Sequence, residues 1–107
     1  MVKELSPREF LDRRRSGAEL TLLDVREDWE TALAPVPTLT IHIPMGEISD
    51  RLGELDKARE TVVICRSGGR SAQVAQFLER QGFTSVLNLA GGILAWSRDI
   101  DPTIPQY

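Results

Sequence analysis

Thr61-Val62-Val63-Ile64-Cys65-Arg66-Ser67-Gly68-Gly69-Arg70-Ser71 runs from a short apolar stretch through a glycine-bearing loop into a segment of helical periodicity. The apolar residues predict a buried strand over 61–64. Val74, Ala75, Phe77 and Leu78 then recur at helical spacing up to Gly82, predicting a helix over 71–81 with these side chains inward. A strand feeding directly into a helix is half of a parallel β-α-β unit.

The same alternation extends in both directions. Upstream, Ser6-Pro7-Arg8-Glu9 combines an N-cap, a proline at the first helical position and a capping-box glutamate, predicting a helix over 6–16 with Leu5, Phe10 and Leu11 on its apolar face. Residues 20–25 read as a buried strand ending in the polar cluster Arg26-Glu27-Asp28, and residues 30–34 as a short helix that Pro35 and Pro37 terminate. A strand over 39–43 follows, and Pro44 is expected to open a helix carrying Met45, Ile48, Leu52 and Leu55. Downstream, Val86-Leu87-Asn88-Leu89 is a last strand, and Gly91-Gly92 turns the chain into a helix holding Ile93, Leu94 and Trp96. The expected architecture is therefore α/β: an open, mainly parallel sheet of about five strands with helices on both faces, in a single domain over 1–107. Trp29 and Trp96 are expected as amphipathic core anchors.

Composition narrows the function classes. A hydrophobic fraction of 41% with 27% charged residues is ordinary for a globular protein, and no apolar run is long enough to span a membrane. The N-terminus lacks the features of a secretory or transit signal, so a cytoplasmic location is expected. A net charge of -3 argues against broad nucleic-acid binding, although eleven of the thirteen cationic residues are arginine, the type suited to anion recognition. The run Arg13-Arg14-Arg15 reads as a solvated helix end complementing its own dipole. One cysteine and one histidine argue against a metal site of the Cys/His kind.

The chemistry concentrates at Cys65. A thiol at a strand-to-helix junction meets unpaired backbone N–H groups and the positive end of the helix dipole, both of which favour its anion. Gly68 and Gly69 allow the loop to curl so that successive N–H groups converge into an anion nest. Arg66 and Arg70 add charge around it, and the hydroxyls of Ser67 and Ser71 can donate further hydrogen bonds. A free thiol near pKa ~8.5 would be lowered to roughly 7 or below in such surroundings, making it an effective nucleophile. A lone cysteine is more often a small buried hydrophobe, but two glycines, two arginines and two serines within the next six residues are not explained by packing.

On these residues the chain resembles a single-domain rhodanese, over essentially its whole length. Leu22-Leu23-Asp24-Val25-Arg26-Glu27 is similar to that family's early strand motif, and Ile41-His42-Ile43-Pro44-Met45-Gly46-Glu47-Ile48 to its second strand and the segment after it. Cys65 to Ser71 resembles the active-site loop, and Leu89-Ala90-Gly91-Gly92-Ile93-Leu94-Ala95-Trp96 the closing motif. The resemblance implies that Cys65 takes sulfane sulfur from a small anionic donor such as thiosulfate and carries it as a persulfide. It then passes the sulfur to cyanide or a thiol, with no organic cofactor or metal. Arg66, Ser67, Gly68, Gly69, Arg70 and Ser71 would bind the anion, and Asp24 and Arg26 would brace the site. His42 is expected to be structural or exposed, with a general-base role as the minor option.

Three alternatives accompany that reading. Residues 96–107 resemble rhodanese domains that end sulfur-carrier activating enzymes, implying a relay module that delivers sulfur to a carrier protein for cofactor synthesis or tRNA thiolation. A binding domain with an idle loop is a second. Cysteine phosphatases and arsenate reductases also close a Cys loop with Arg at a helix N-terminus, but four residues separate Cys65 from Arg70, one fewer than those enzymes use. Ile64 also stands where their histidine often lies. In the other direction, Ala34-Pro35-Val36-Pro37-Thr38-Leu39 replaces the rhodanese stretch Gly-His-Ile-Pro-Gly-Ala, so this loop is altered and lacks its histidine.

Overall fold

The computed structural model describes residues 2–107. Five strands, β1 (Lys3–Leu5), β2 (Leu20–Asp24), β3 (Ile41–His42), β4 (Glu60–Ile64) and β5 (Val86–Leu89), form one sheet in the order β1-β5-β4-β2-β3. Every neighbouring pair is parallel. The helices are α1 (Pro7–Arg15), α2 (Asp28–Leu33), α3 (Gly69–Arg80) and α4 (Gly92–Asp99).

The strands' alternating side chains divide the core in two. Leu20, Leu22, Val62, Ile64, Leu87 and Leu89 face one layer, with Phe10 of α1 and Ile93 and Trp96 of α4. Leu23, Val63 and Val86 face the other, with Val74, Ala75 and Leu78 of α3 and, from the connections, Val25, Ile43, Ile48 and Leu55. The central strands are thus apolar on both faces, as a parallel sheet covered on both sides requires. Ser6 caps α1 as its sequence implies: its hydroxyl accepts from the Glu9 amide at 3.1 Å, while Glu9 Oε1 accepts from the Ser6 amide at 3.0 Å.

Several expectations are corrected. The helix expected after Pro44 is two short 3-10 turns, Met45–Glu47 and Leu52–Glu54. Gly46, Ser49, Asp50 and Gly53 are poor helix formers, and they break the periodic run while leaving Ile48 and Leu55 in the core. The strand expected over 39–43 pairs only through Leu23↔Ile41 and Asp24↔His42, because it lies at the sheet edge between Pro37 and Pro44. β1, pairing with β5 through Glu4↔Asn88, has no counterpart in the sequence reading, and Leu5, expected on the face of the first helix, belongs to this strand; three residues are too few to display a period. Trp29 is not a core anchor: it lies on the outer side of α2, 63% exposed, with its ring edge-on to Tyr107 at 5.7 Å. Trp96, by contrast, is buried against Phe10.

The arginine run is more than a solvated helix end. Arg14 donates to the carbonyls of Leu20 and Leu39 and to Thr38 Oγ1, and its guanidinium lies 4.9 Å from the centre of the Phe10 ring. Arg13 pairs with Glu60. Side chains on the last turn of α1 thereby tie it to the start of β2, the loop before β3 and the start of β4.

α4 fixes the cysteine loop from the other end. Ile93 N donates to Cys65 O at 2.9 Å and Leu94 N to Arg66 O at 3.1 Å, so free N–H groups of one helix terminus satisfy carbonyls of the neighbouring loop. That approach is possible only because Gly92, at φ +58°, has no Cβ; one built there would lie 2.5 Å from the carbonyl oxygens of both Cys65 and Arg66. Gly92→Ala should cost about 2–4 kcal/mol in a urea titration and lower activity with it, from steric overlap added to backbone strain.

Candidate active site

Cys65 follows the last residue of β4, at the carboxyl edge of the sheet, where an open parallel sheet gathers its ligands. The residue is 1% exposed. Its Sγ accepts a hydrogen bond from the Gly68 amide at 3.1 Å and lies 3.3 Å from Ser71 Oγ. Gly68 is the N-cap of α3 at φ +114°, a left-handed conformation that turns its N–H back onto the sulfur. Gly69 needs no such freedom, since a Cβ there would meet nothing. α3 begins at Gly69, two residues before the sequence suggests, which brings Arg70 and Ser71 into its first turn around the sulfur.

Burial pushes the Cys65 thiol up. It is outweighed by the Ser71 hydroxyl and by the amides of Ser71, Gly68 and Ser67, so the net effect is a lowered pKa. The anion is therefore favoured by hydrogen bonds at a helix N-terminus, as the loop composition implies.

The loop arginines are less free than expected. Arg70 forks onto Glu30, with Nη1 and Nη2 donating to Oε1 and Oε2 at 2.6 and 2.8 Å. Arg66 is exposed, but its Nε donates to the Tyr107 carbonyl at 2.5 Å and its guanidinium lies 5.3 Å from the Tyr107 ring centre. Ser67 is exposed at the rim. Asp24 and Arg26 form a fully buried pair: Arg26 Nη2 meets Asp24 Oδ2 at 2.8 Å, and Nε shares both carboxylate oxygens at 3.0 and 3.1 Å. Arg26 also donates to Ala34 O at 2.8 Å and to Tyr107 Oη at 3.1 Å. Tyr107 Oη in turn donates to Glu30 Oε2 at 2.7 Å. One chain of contacts thus links the buried pair, through Tyr107 and Glu30, to Arg70 beside the sulfur. His42 Nε2 lies 2.7 Å from Arg26 O, holding the turn after β2.

Sequence reasoning missed Glu30, Tyr107 and Asn88. Of these three only Asn88 carries a signal, as the polar residue within the otherwise apolar run 86–89. Glu30 and Tyr107 lie 40 and 37 residues from Arg70, and nothing local marks them.

Arg70 and its neighbours hold the Glu30 carboxyl at a pKa of about 2, against an ordinary 4.5. A pKa lowered on folding stabilises the protein above the unfolded value; that contribution shrinks below pH 4.5 and is gone once pH falls through about 2. Glu30→Gln should remove this part of the acid sensitivity and lower stability at neutral pH by on the order of 2 kcal/mol, read from urea titrations at a series of pH values.

The fold and site define a class: a parallel α/β protein whose cysteine, ringed by amides at a helix N-terminus, is set up for nucleophilic group transfer. A family model, the Rhodanese-like domain, matches residues 6–99, and the chain belongs to that family. It is 43% identical over 101 residues to YtwF of Bacillus subtilis, covering 94% of this chain and 96% of that protein. It is 39% identical over 98 residues to a sulfurtransferase of Allochromatium vinosum, covering 92% and 91%. The crystal structure of a rhodanese-like domain protein from Staphylococcus aureus superposes with a TM-score of 0.83 at 30% identity, covering 99% of each chain. Among the described residues no cluster of His, Cys, Asp and Glu is arranged to hold a metal ion, and no helix is long and apolar enough to cross a membrane.

Proposed function

We propose that this protein transfers sulfane sulfur through a persulfide on Cys65, with a small anionic donor such as thiosulfate. The observation that carries it is the sulfur's setting: Sγ receives the Gly68 amide, with the Ser71 hydroxyl beside it, at the N-terminus of α3. The Cys65 thiolate attacks the outer sulfur of thiosulfate; the donor's S–S bond breaks with its electron pair, releasing sulfite and leaving Cys65–S–S⁻. Cyanide or a thiolate then attacks the outer sulfur, giving thiocyanate or a new persulfide and restoring the Cys65 thiolate. Both steps conserve atoms and charge, and every reacting group comes from the donor, the acceptor or Cys65. The N–H groups from Arg66 to Ser71 would stabilise the outer sulfur's charge, and Arg66 at the rim would meet the donor.

Two features favour sulfur over phosphate. The loop is one residue shorter than that of a cysteine phosphatase, and Cys65 is nearly sealed, so a slender terminal sulfur reaches it more readily than a tetrahedral phosphate. Intact-protein mass spectrometry tests the reading. Incubation with thiosulfate should add the mass of one sulfur atom to the wild-type chain, at Cys65, and cyanide should remove it; no mass gain would refute the proposal. The acceptor is distinguished by rates: a relay module hands its sulfur to a carrier protein faster than to small thiols, whereas equal rates mark a protein serving small acceptors.

A further inference from the structure

Ser71 has one hydroxyl proton and two acceptors within reach. Cys65 Sγ is 3.3 Å from its Oγ, and Asn88 Oδ1 is 2.5 Å away. Asn88 is 2% exposed, in the middle of β5, opposite Val63 of β4 and Glu4 of β1. Its amide orientation is set by its partners: Nδ2 lies 3.1 Å from both Gly68 O and Glu4 Oε2, two groups that accept. Oδ1 must therefore face Ser71, as an acceptor that cannot be exchanged for a donor.

We infer that Asn88 is a positioning residue for the nucleophile, acting through Ser71 by competing with Cys65 Sγ for the single hydroxyl proton. When Cys65 is a thiol, its S–H can donate to Ser71 Oγ while Ser71 donates to Asn88. When Cys65 ionises, the hydroxyl turns toward the thiolate, and Asn88 Oδ1, buried, loses its partner. That loss opposes ionisation, so Asn88 keeps the thiol pKa higher than the surrounding donors alone would set it. The consequence is chemical. A thiolate stabilised too strongly is a weaker nucleophile, and the best attacking thiol has a pKa near the ambient pH. On the persulfide reading, the charge later moves to the outer sulfur, and the Ser71 proton can return to Asn88 by rotation of one O–H bond. That last step rests on the proposed function; the competition for the proton does not.

Most other charged groups at the site are held by partners of their own. Arg70 of α3 faces Cys65 and is held by Glu30 of α2, Arg66 turns to Tyr107, and Asp24 at the end of β2 neutralises Arg26 two residues on. Glu4 of β1 touches the far side of the Asn88 amide.

The test follows Cys65 ionisation by thiolate absorbance at 240 nm and, in parallel, the Asn88 side-chain amide by nitrogen-15 NMR. In the wild type the Asn88 resonance should titrate with the same midpoint as the thiol, and in Ser71→Ala it should not. Asn88→Leu, which removes the acceptor while keeping the number and branching of side-chain heavy atoms, should lower the thiol pKa by roughly half a pH unit or more, and should have no effect in a Ser71→Ala background. An unchanged or raised thiol pKa in Asn88→Leu, or the same decrease without Ser71, overturns the inference. If Asn88→Leu does not fold, an Asn88 resonance that ignores the thiol in the wild type does the same. Failure of the mass-gain experiment would refute sulfur transfer and leave these titrations unaffected, so the two claims fail separately.

Discussion

Cys65→Ser should abolish thiosulfate-to-cyanide sulfur transfer, lowering kcat/KM by at least ~10³-fold, because the step needs a sulfur nucleophile and a serine hydroxyl has no comparable anion near neutral pH. The substitution changes one buried atom. The Gly68 amide and the Ser71 hydroxyl remain to accommodate an oxygen, so the protein should fold, with a loss of about 1 kcal/mol for placing a more polar group in the core. Steady-state assay and intact mass then report separate facts. The variant should neither turn over nor gain sulfur, while its urea midpoint stays close to the wild type. Retained transfer in a correctly folded Cys65→Ser protein would eliminate Cys65 as the carrier. Ser71→Ala makes the graded comparison: it removes one donor to the sulfur and should raise the thiol pKa, so its activity should be displaced toward higher pH while the persulfide still forms.

What the sequence reveals about this molecule depends on how far a side chain's partners lie along the chain. The β4–loop–α3 segment is legible because strand, glycine turn and helix are consecutive and each has its own period. Cys65, Gly68 and Ser71 fall within seven residues, and the structure brings them together. The charges of Arg66 and Arg70 are equally visible, but their use is not: Glu30 and Tyr107 reach them across the fold, and no local pattern announces a long-range ion pair. β1, which has no counterpart in the sequence reading, and the bounds of β3, which is shorter than expected, escape that reading for a related reason. Each is an edge strand of two or three residues, held by its register with β5 or β2 rather than by its own propensity. Trp29 is read wrongly because size and apolarity predict burial on average, whereas α2 is only six residues long and turns that face outward. Asn88 lies between these cases. Its polarity is conspicuous in an apolar strand, and its role requires knowing that Gly68 and Ser71 lie above it.

Arg26→Met should destabilise the protein by about 3–5 kcal/mol, the largest stability change expected from any single charged residue here. Arg26 is fully buried and Asp24 nearly so, which makes the pair unlike Arg51–Glu47 on the surface, where both partners keep much of their hydration. Methionine retains much of the aliphatic volume, so the cost isolates the charge: Asp24 is left as an unpaired carboxylate in the core, and Ala34 O and Tyr107 Oη each lose a donor. Asp24→Asn should cost less, because the side chain keeps one acceptor for the guanidinium and Arg26 retains Ala34 O and Tyr107. The double variant Asp24→Asn/Arg26→Met should recover part of the loss of Arg26→Met, since no charge is then left buried without its counterion, and a double-mutant cycle from urea midpoints measures that coupling. Additive single effects would show that the two residues stabilise the fold independently. The pair has a second consequence: by anchoring Tyr107, it also fixes the group that bridges to Glu30 and hence to Arg70. Arg26→Met should therefore lower activity even under conditions where the protein remains folded, through a loosened Arg70 rather than through Cys65, whose own ring of hydrogen bonds does not include Arg26.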